Sequence, residues 1–178
     1  MLLVSPSYLF AKKQLVFEIS TTMYPYPVVV LENNSQQIIE LPENLRGRPY
    51  LCLIVDEEGN LIKDKRWESA KKNIQTEEKW YSELVYQIGI GQKEYFVPSF
   101  NAETIPLKTD GCYYMVCIIS NVPFSLQELV VSNVVKLEVK DGKAKSTKSI
   151  SRQKIPEIVY GTLQNEIEKI QHEIRSND

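Results

Sequence analysis

Hydrophobic and polar residues alternate in short runs along this chain, the mark of β-strands with one face turned to water. Residues 15–22 set Leu15, Phe17 and Ile19 against Glu18 and Ser20. Residues 27–31 form a valine-rich run that ends in Glu32, Asn33, Asn34 and Ser35, and residues 37–41 follow up to Pro42. Residues 50–55 are apolar on both faces, and Asp56 to Asn60 then reads as a turn into Leu61 and Ile62, closing a hairpin. Residues 80–90 collect Trp80, Leu84, Tyr86, Ile88 and Ile90 on one face, with Tyr81, Glu83, Val85 and Gln87 on the other. Residues 94–97 predict a further short strand, and residues 129–139 hold one strand or two. Asp141-Gly142 is a two-residue turn signal returning the chain through residues 143–150. Residues 64–78 read either as a short helix capped by Asp64, with Trp67, Ala70 and Ile74 on one side, or as a polar loop.

The period changes at the end of the chain. Pro156 suits the first turn of a helix, and Leu163, Ile167, Ile170 and Ile174 follow at helical spacing. Ile155 and Val159 extend this stripe, while Glu166, Glu168, Lys169, Glu173 and Arg175 flank or oppose it.

One run does not alternate. In "DGCYYMVCII", residues 110–119, a strand would point Cys112, Tyr114, Val116 and Ile118 one way and Tyr113, Met115, Cys117 and Ile119 the other. Both sets are apolar, which predicts a central strand covered on both sides. Cys112 and Cys117 then lie on opposite faces, roughly 16 Å apart, and cannot bond to each other; both read as core thiols. The helix over residues 156–174 is the candidate cover for the second face. If it does not fold back, its stripe suits pairing with another helix. The expected fold is therefore an antiparallel β-sandwich, immunoglobulin-like or related, of about seven to nine strands in residues 1–150. A C-terminal amphipathic helix in residues 151–178 would dock on it or on a partner.

Cys52, Trp67 and Cys117 are spaced in a way similar to the cysteine, tryptophan and cysteine of an immunoglobulin domain. The likeness is one of architecture alone. Met115 stands where that fold carries a tyrosine, and Trp67 lies in a polar stretch, so an antibody-type disulfide is not expected.

Composition changes this picture little. With 178 residues, 43% hydrophobic and 25% charged, the chain suits one globular domain. A net charge of −2 makes no demand for nucleic acid or an anionic membrane. Residues 1–14 lack the charge order of a secretory leader, and no run reaches the length of a membrane span. The expectation is a cytoplasmic or virion-associated chain with reduced cysteines.

Candidate chemistry is sparse. His172 is the single histidine, expected on the exposed face of the helix, which argues against Ser-His or Cys-His nucleophile pairs and against the usual zinc sets. Gly89 and Gly91 lack the third glycine of a nucleotide-binding loop and read as a strand end. Glu57-Glu58 and Glu77-Glu78 read as solvated turns. No metal, cofactor or catalytic residue is expected. Lys143, Lys145, Lys148, Arg152 and Lys154 form an acid-free stretch that could touch an anion, or simply line a protected edge strand. Trp67, Trp80 and Tyr81, with Tyr24 and Tyr26, could stack on a ligand or anchor a partner. Leu163, Ile167, Ile170 and Ile174 are the candidate partner-binding stripe. The leading functional expectation is a non-enzymatic interaction or assembly module, a subunit of a larger complex with a protein partner or copies of itself, of the kind found among viral, phage and bacterial structural proteins. A carbohydrate- or ligand-binding sandwich comes second, and an enzyme with an unfamiliar carboxylate site third.

Overall fold

In the computed structural model the described residues are 15–21, 27–42, 51–62, 85–96, 107, 110–119, 130–141 and 143–175. Among them the chain is mainly β, with antiparallel sheets and one C-terminal helix. Strands β1 (Leu15–Ser20), β2 (Val28–Asn33) and β7 (Lys93–Phe96) form a three-stranded sheet in the order β1-β2-β7. Strands β3 (Ile39–Pro42) and β6 (Val85–Ile88) pair with each other. The larger sheet runs β11-β10-β8-β4-β5, built from β4 (Leu51–Asp56), β5 (Leu61–Ile62), β8 (Gly111–Ile119), β10 (Val135–Lys140) and β11 (Lys143–Ser149). The two-residue β9 (Val130–Val131) pairs with the far end of β8.

Of the one strand or two expected in residues 129–139 the structure forms two, and the break between them has a physical cause. β9 and β10 both pair with β8, but Ser132 interrupts the ladder between them. Its Oγ accepts the Cys117 N–H at 2.9 Å, and its own N–H donates to the Cys117 carbonyl at 2.9 Å. Next to it, the Asn133 amide reaches the other sheet: Oδ1 accepts the Ile19 N–H at 2.7 Å and Nδ2 donates to the Ile19 carbonyl at 3.1 Å. A side-chain amide thus stands in for a neighbouring strand on β1.

β8 is buried on both faces from Tyr113 to Ile119, as its lack of alternation predicts. Tyr113, Met115, Cys117 and Ile119 share one core with Leu15, Phe17 and Ile19 of β1, Val29 and Leu31 of β2, and Val135, Leu137 and Val139 of β10. On the opposite face Tyr114, Val116 and Ile118, with Leu51, Leu53 and Val55 of β4, meet the helix α1 (Glu157–Arg175) through Val159, Leu163 and Ile170. The helix covers only part of that face. Toward β10 and β11 the same side carries Lys136, Glu138, Ser146 and Lys148, of which Glu138 and Lys148 are exposed. The alternating Val-Lys-Leu-Glu-Val-Lys of β10 matches a strand with one wet face.

Two details hold the helix in place. Arg152, in the 3-10 turn Arg152–Lys154, pairs with Glu157 at 3.2 Å and lies over the Tyr160 ring, 3.3 Å from its centroid. The Thr162 hydroxyl donates to the Gly59 carbonyl at 2.9 Å, tying α1 to the β4–β5 turn. Gly59 has φ 86, and a Cβ there would stand 2.7 Å from Cγ1 of Ile158. This turn therefore needs glycine for both conformation and space.

One strand expectation needs correcting. The alternation of residues 80–90 places Ile90 on the apolar face, but the strand ends at Ile88. Ile90 sits in the turn between β6 and β7 and is 61% exposed. Gly91, at φ 69, bends the chain there, so the alternation runs past its physical end. The stretch 64–78, and the front of the run 80–90, fall outside the described residues.

Candidate functional site

Asn33 organises the most distinctive corner of the molecule. It is fully buried, at the end of β2. Its Nδ2 donates to the carbonyls of Gln37 (2.8 Å) and Ile88 (2.9 Å), and its Oδ1 accepts from the Ser35 N–H (2.8 Å) and hydroxyl (2.6 Å). Its backbone N–H donates to the Gln92 carbonyl, and its carbonyl accepts the Gly91 N–H. A buried amide satisfied at both ends rigidifies what it joins. Here it joins β2, the turn entering β3 and the β6–β7 turn. Ile39 of β3 pairs with Ile88 of β6, and both are fully buried. Ile38 and Ile90 flank that same end of the ladder, and their side chains are 55% and 61% exposed. From the sequence alone, residues 32–36 read as an ordinary turn. The run of short polar residues carries the turn signal but gives no sign that Asn33 points inward.

A second cluster lies beside the polar part of the helix-side face. Cys112 sits next to Glu57 of the β4–β5 turn and Lys136 of β10, with Tyr114 alongside. Burial, joined by the hydrogen bond with Glu57, pushes the Cys112 thiol above its ordinary value, while Lys136 pulls it the other way. Lys136 is held above its ordinary value chiefly by its hydrogen bond to Cys112, and burial raises the Tyr114 phenol. A thiol that resists ionisation is a poor nucleophile. The cluster reads as a satisfied edge of the core.

Cys52 and Cys117 are directly opposite each other on β4 and β8, with their Sγ atoms 3.2 Å apart and no disulfide between them. Both face the core between the two sheets, Cys117 fully buried and Cys52 partly so. In an immunoglobulin domain the corresponding cysteines join two sheets. These two are neighbours within one sheet, so the sequence spacing does not carry that geometry.

Of the expected partner-binding stripe, Leu163 and Ile170 are buried against β4 and β8, Ile167 is partly buried there, and Ile174 falls in the last turn of α1. In the basic stretch, Lys143, Lys145 and Lys148 lie on β11, an outer strand of its sheet, with Lys145 and Lys148 exposed. Lys154 is also exposed, whereas Arg152 is committed to Glu157 and Tyr160. Arg152 is thus set apart from the exposed lysines by its own partners. Trp67, Trp80 and Tyr81 lie outside the described residues, as do Tyr24, Tyr26, Glu77 and Glu78. His172 is exposed on the helix. Among the described residues no group of three or more His, Cys, Asp or Glu is placed to hold a metal ion, and no helix is long and apolar enough to cross a membrane. Comparison with protein-family models, curated proteins and solved structures finds no match for this chain.

Proposed function

We propose that this chain is a non-enzymatic interaction or assembly module, a β-sandwich whose larger sheet is covered over part of its outer face by its own C-terminal helix. The sandwich reading rests on the core shared by the three-stranded sheet and one face of the larger sheet. The observation that carries the functional reading is the Asn33 corner. Two isoleucines, Ile38 and Ile90, stand more than half exposed on turns that a buried hydrogen-bonded amide holds rigid. Rigid apolar anchors lose little conformational entropy on binding, which is what an interface hot spot requires. Burying each isoleucine against a partner is worth about 1.5–3 kcal/mol. Leu163 and Ile170 are buried within the chain and Ile167 partly so, so the corner takes over the docking role that the sequence suggests for Leu163, Ile167, Ile170 and Ile174.

The test is tagged purification from the native host, with light scattering on the isolated complex. Wild type should bring down a partner, or further copies of itself, at fixed stoichiometry. The double variant Ile38→Asp with Ile90→Asp should lose it by about 100-fold or more in affinity while keeping its melting temperature. A wild-type chain that stays monomeric and brings down nothing at fixed stoichiometry, or a double variant that binds as well as wild type, overturns the proposal.

A further inference from the structure

We infer that Cys52 and Cys117 are a disulfide-forming pair, closed by exchange with a low-molecular-weight disulfide such as oxidised glutathione. The backbone assigns the pair to the type of position where this reaction is possible. In an antiparallel strand the N–H and C=O of one residue point to the same side. Those of Cys117 both bond to Ser132, on the β9 side. Toward β4 Cys117 is therefore in a non-hydrogen-bonded pair with Cys52, where Cα atoms approach to about 4.5 Å and side chains are closest. That separation lies within the ~4.4–6.8 Å that a disulfide spans. The sulfurs, at 3.2 Å, already touch. Cys112 takes no part, because it points to the other face of β8 with Tyr114 and Val116.

Partial exposure makes Cys52 the entry point and buried Cys117 the resolving group. The Cys52 thiolate attacks one sulfur of the oxidant, its S–S bond breaks, and one glutathione thiolate leaves and takes up the proton lost by Cys52. The Cys117 sulfur then attacks Cys52 in the mixed disulfide. The second glutathione leaves and takes the proton of Cys117. Two protein thiols are oxidised to one disulfide, and one glutathione disulfide is reduced to two thiols.

The full-length protein, purified under reductant, is equilibrated anaerobically with reduced and oxidised glutathione, acid-quenched and alkylated in denaturant. Intact mass then counts the remaining thiols. The three thiols of the reduced chain should fall to one, without glutathione adducts or dimers, and return to three with dithiothreitol. Trypsin does not cut between Cys112 and Cys117, because no Lys or Arg separates them. The Cys112→Ser variant therefore assigns the bond: its two thiols should fall to none. The Cys52→Ser variant should form no intramolecular bond. Repeating the equilibration in urea measures how much of the closure the fold supplies. For cysteines 65 positions apart, the effective concentration should be roughly 100- to 1,000-fold higher in the folded chain. A wild-type count that stays at three, a persistent glutathione adduct, a bond to Cys112 or between chains, or a folded-to-unfolded ratio below about tenfold overturns the assignment. The decisive count is made on the wild-type chain, so it does not depend on any variant folding.

Discussion

Truncating Leu163 to alanine tests whether α1 is part of this chain's own core. Leu163 is 3% exposed and packs with Leu51, Leu53 and Val55 of β4, Val116 and Ile118 of β8, and Val159 and Ile170 of its own helix. The change removes three carbons from a site walled by a sheet on one side and a helix backbone on the other. Sheet and helix are both held by hydrogen-bonded ladders, so the walls collapse only partly, and a cavity penalty adds to the lost transfer energy. The expected cost is about 3 kcal/mol, near the lower end for buried leucines because a helix on the outside of a domain relaxes more easily than a central strand. For a chain of 178 residues each kcal/mol moves the melting temperature by about 2–4 °C, so the midpoint should fall by roughly 6–12 °C. Ile167→Ala, at a half-covered position on the same stripe, should cost about a third as much. Lys169→Ala, on the exposed face, should stay within about 0.5 kcal/mol of wild type. The assay is chemical and thermal unfolding followed by circular dichroism over a hundredfold range of protein concentration. Docking within the chain makes the difference between variant and wild type independent of concentration, whereas docking onto a second copy makes both midpoints climb with concentration. A loss below about 1 kcal/mol, or a difference that tracks concentration, would refute the assignment of this stripe to the chain's own sheet.

Two glycines should respond in opposite directions. Gly161 lies inside α1, and a Cβ there would have nothing within 4 Å, so Gly161→Ala should raise stability by about 0.5–1 kcal/mol in urea unfolding. Gly59→Ala meets both a positive φ and the Ile158 side chain at 2.7 Å, and should lower stability by more than about 1 kcal/mol. Alkali should weaken the fold. Cys112, Tyr114 and Lys136 all hold their protons more tightly in the folded chain than their ordinary values imply. Between the ordinary and raised values the folded state binds more protons than the unfolded one, so stability is full below the ordinary thiol value of 9.0 and is lost as pH rises through the raised values. Urea midpoints measured from neutral to alkaline pH should decline, and Cys112→Ser should remove the earliest part of the decline; a midpoint that rises with pH would contradict this.

What is legible in the sequence follows from which features depend on near neighbours. Two-sided burial of β8 can be read from residues 112–119 because a strand with a wet face must alternate, and this one does not. The helix can be read because 3.6-residue periodicity is local, and Asp141 occupies the left-handed turn position, φ 55, that Asp-Gly announces. Pairing register is not local. Nothing in the residues around Cys52 or Cys117 reveals that β4 and β8 bring them face to face from 65 positions apart. Asn33 misleads for a related reason. An asparagine in a polar run is normally a solvated turn residue; Ser35 and Gln37 satisfy three of its side-chain hydrogen bonds locally, but the approach of Ile88, 55 positions away, supplies the remaining carbonyl of the buried amide. Charge alone groups Arg152 with four lysines. Its planar guanidinium instead finds a carboxylate five residues on and an aromatic face eight residues on, a pairing to which the count of cations is blind.

The sheet edges bear on how such a module would bind. Exposed backbone at an edge is the commonest route for one β-protein to recruit another strand. Each outer strand of the two larger sheets is blunted in its own way among the described residues. β1 has its Ile19 N–H and C=O taken by the Asn133 amide. β5 is only two residues long and follows a turn bound to α1. β11 presents the exposed Lys145 and Lys148, and the register of its ladder shifts at Glu138 and Val139 of its partner β10. β7 places Lys93 at its start, paired to Glu32 on the adjacent strand at 3.0 Å. Lysines, short strands and bulges are the devices that discourage strand addition. A partner is thus steered from the backbone edges toward side chains. The exposed isoleucines at the Asn33 corner supply apolar surface without any such guard, which favours docking through Ile38 and Ile90 over extension of either sheet.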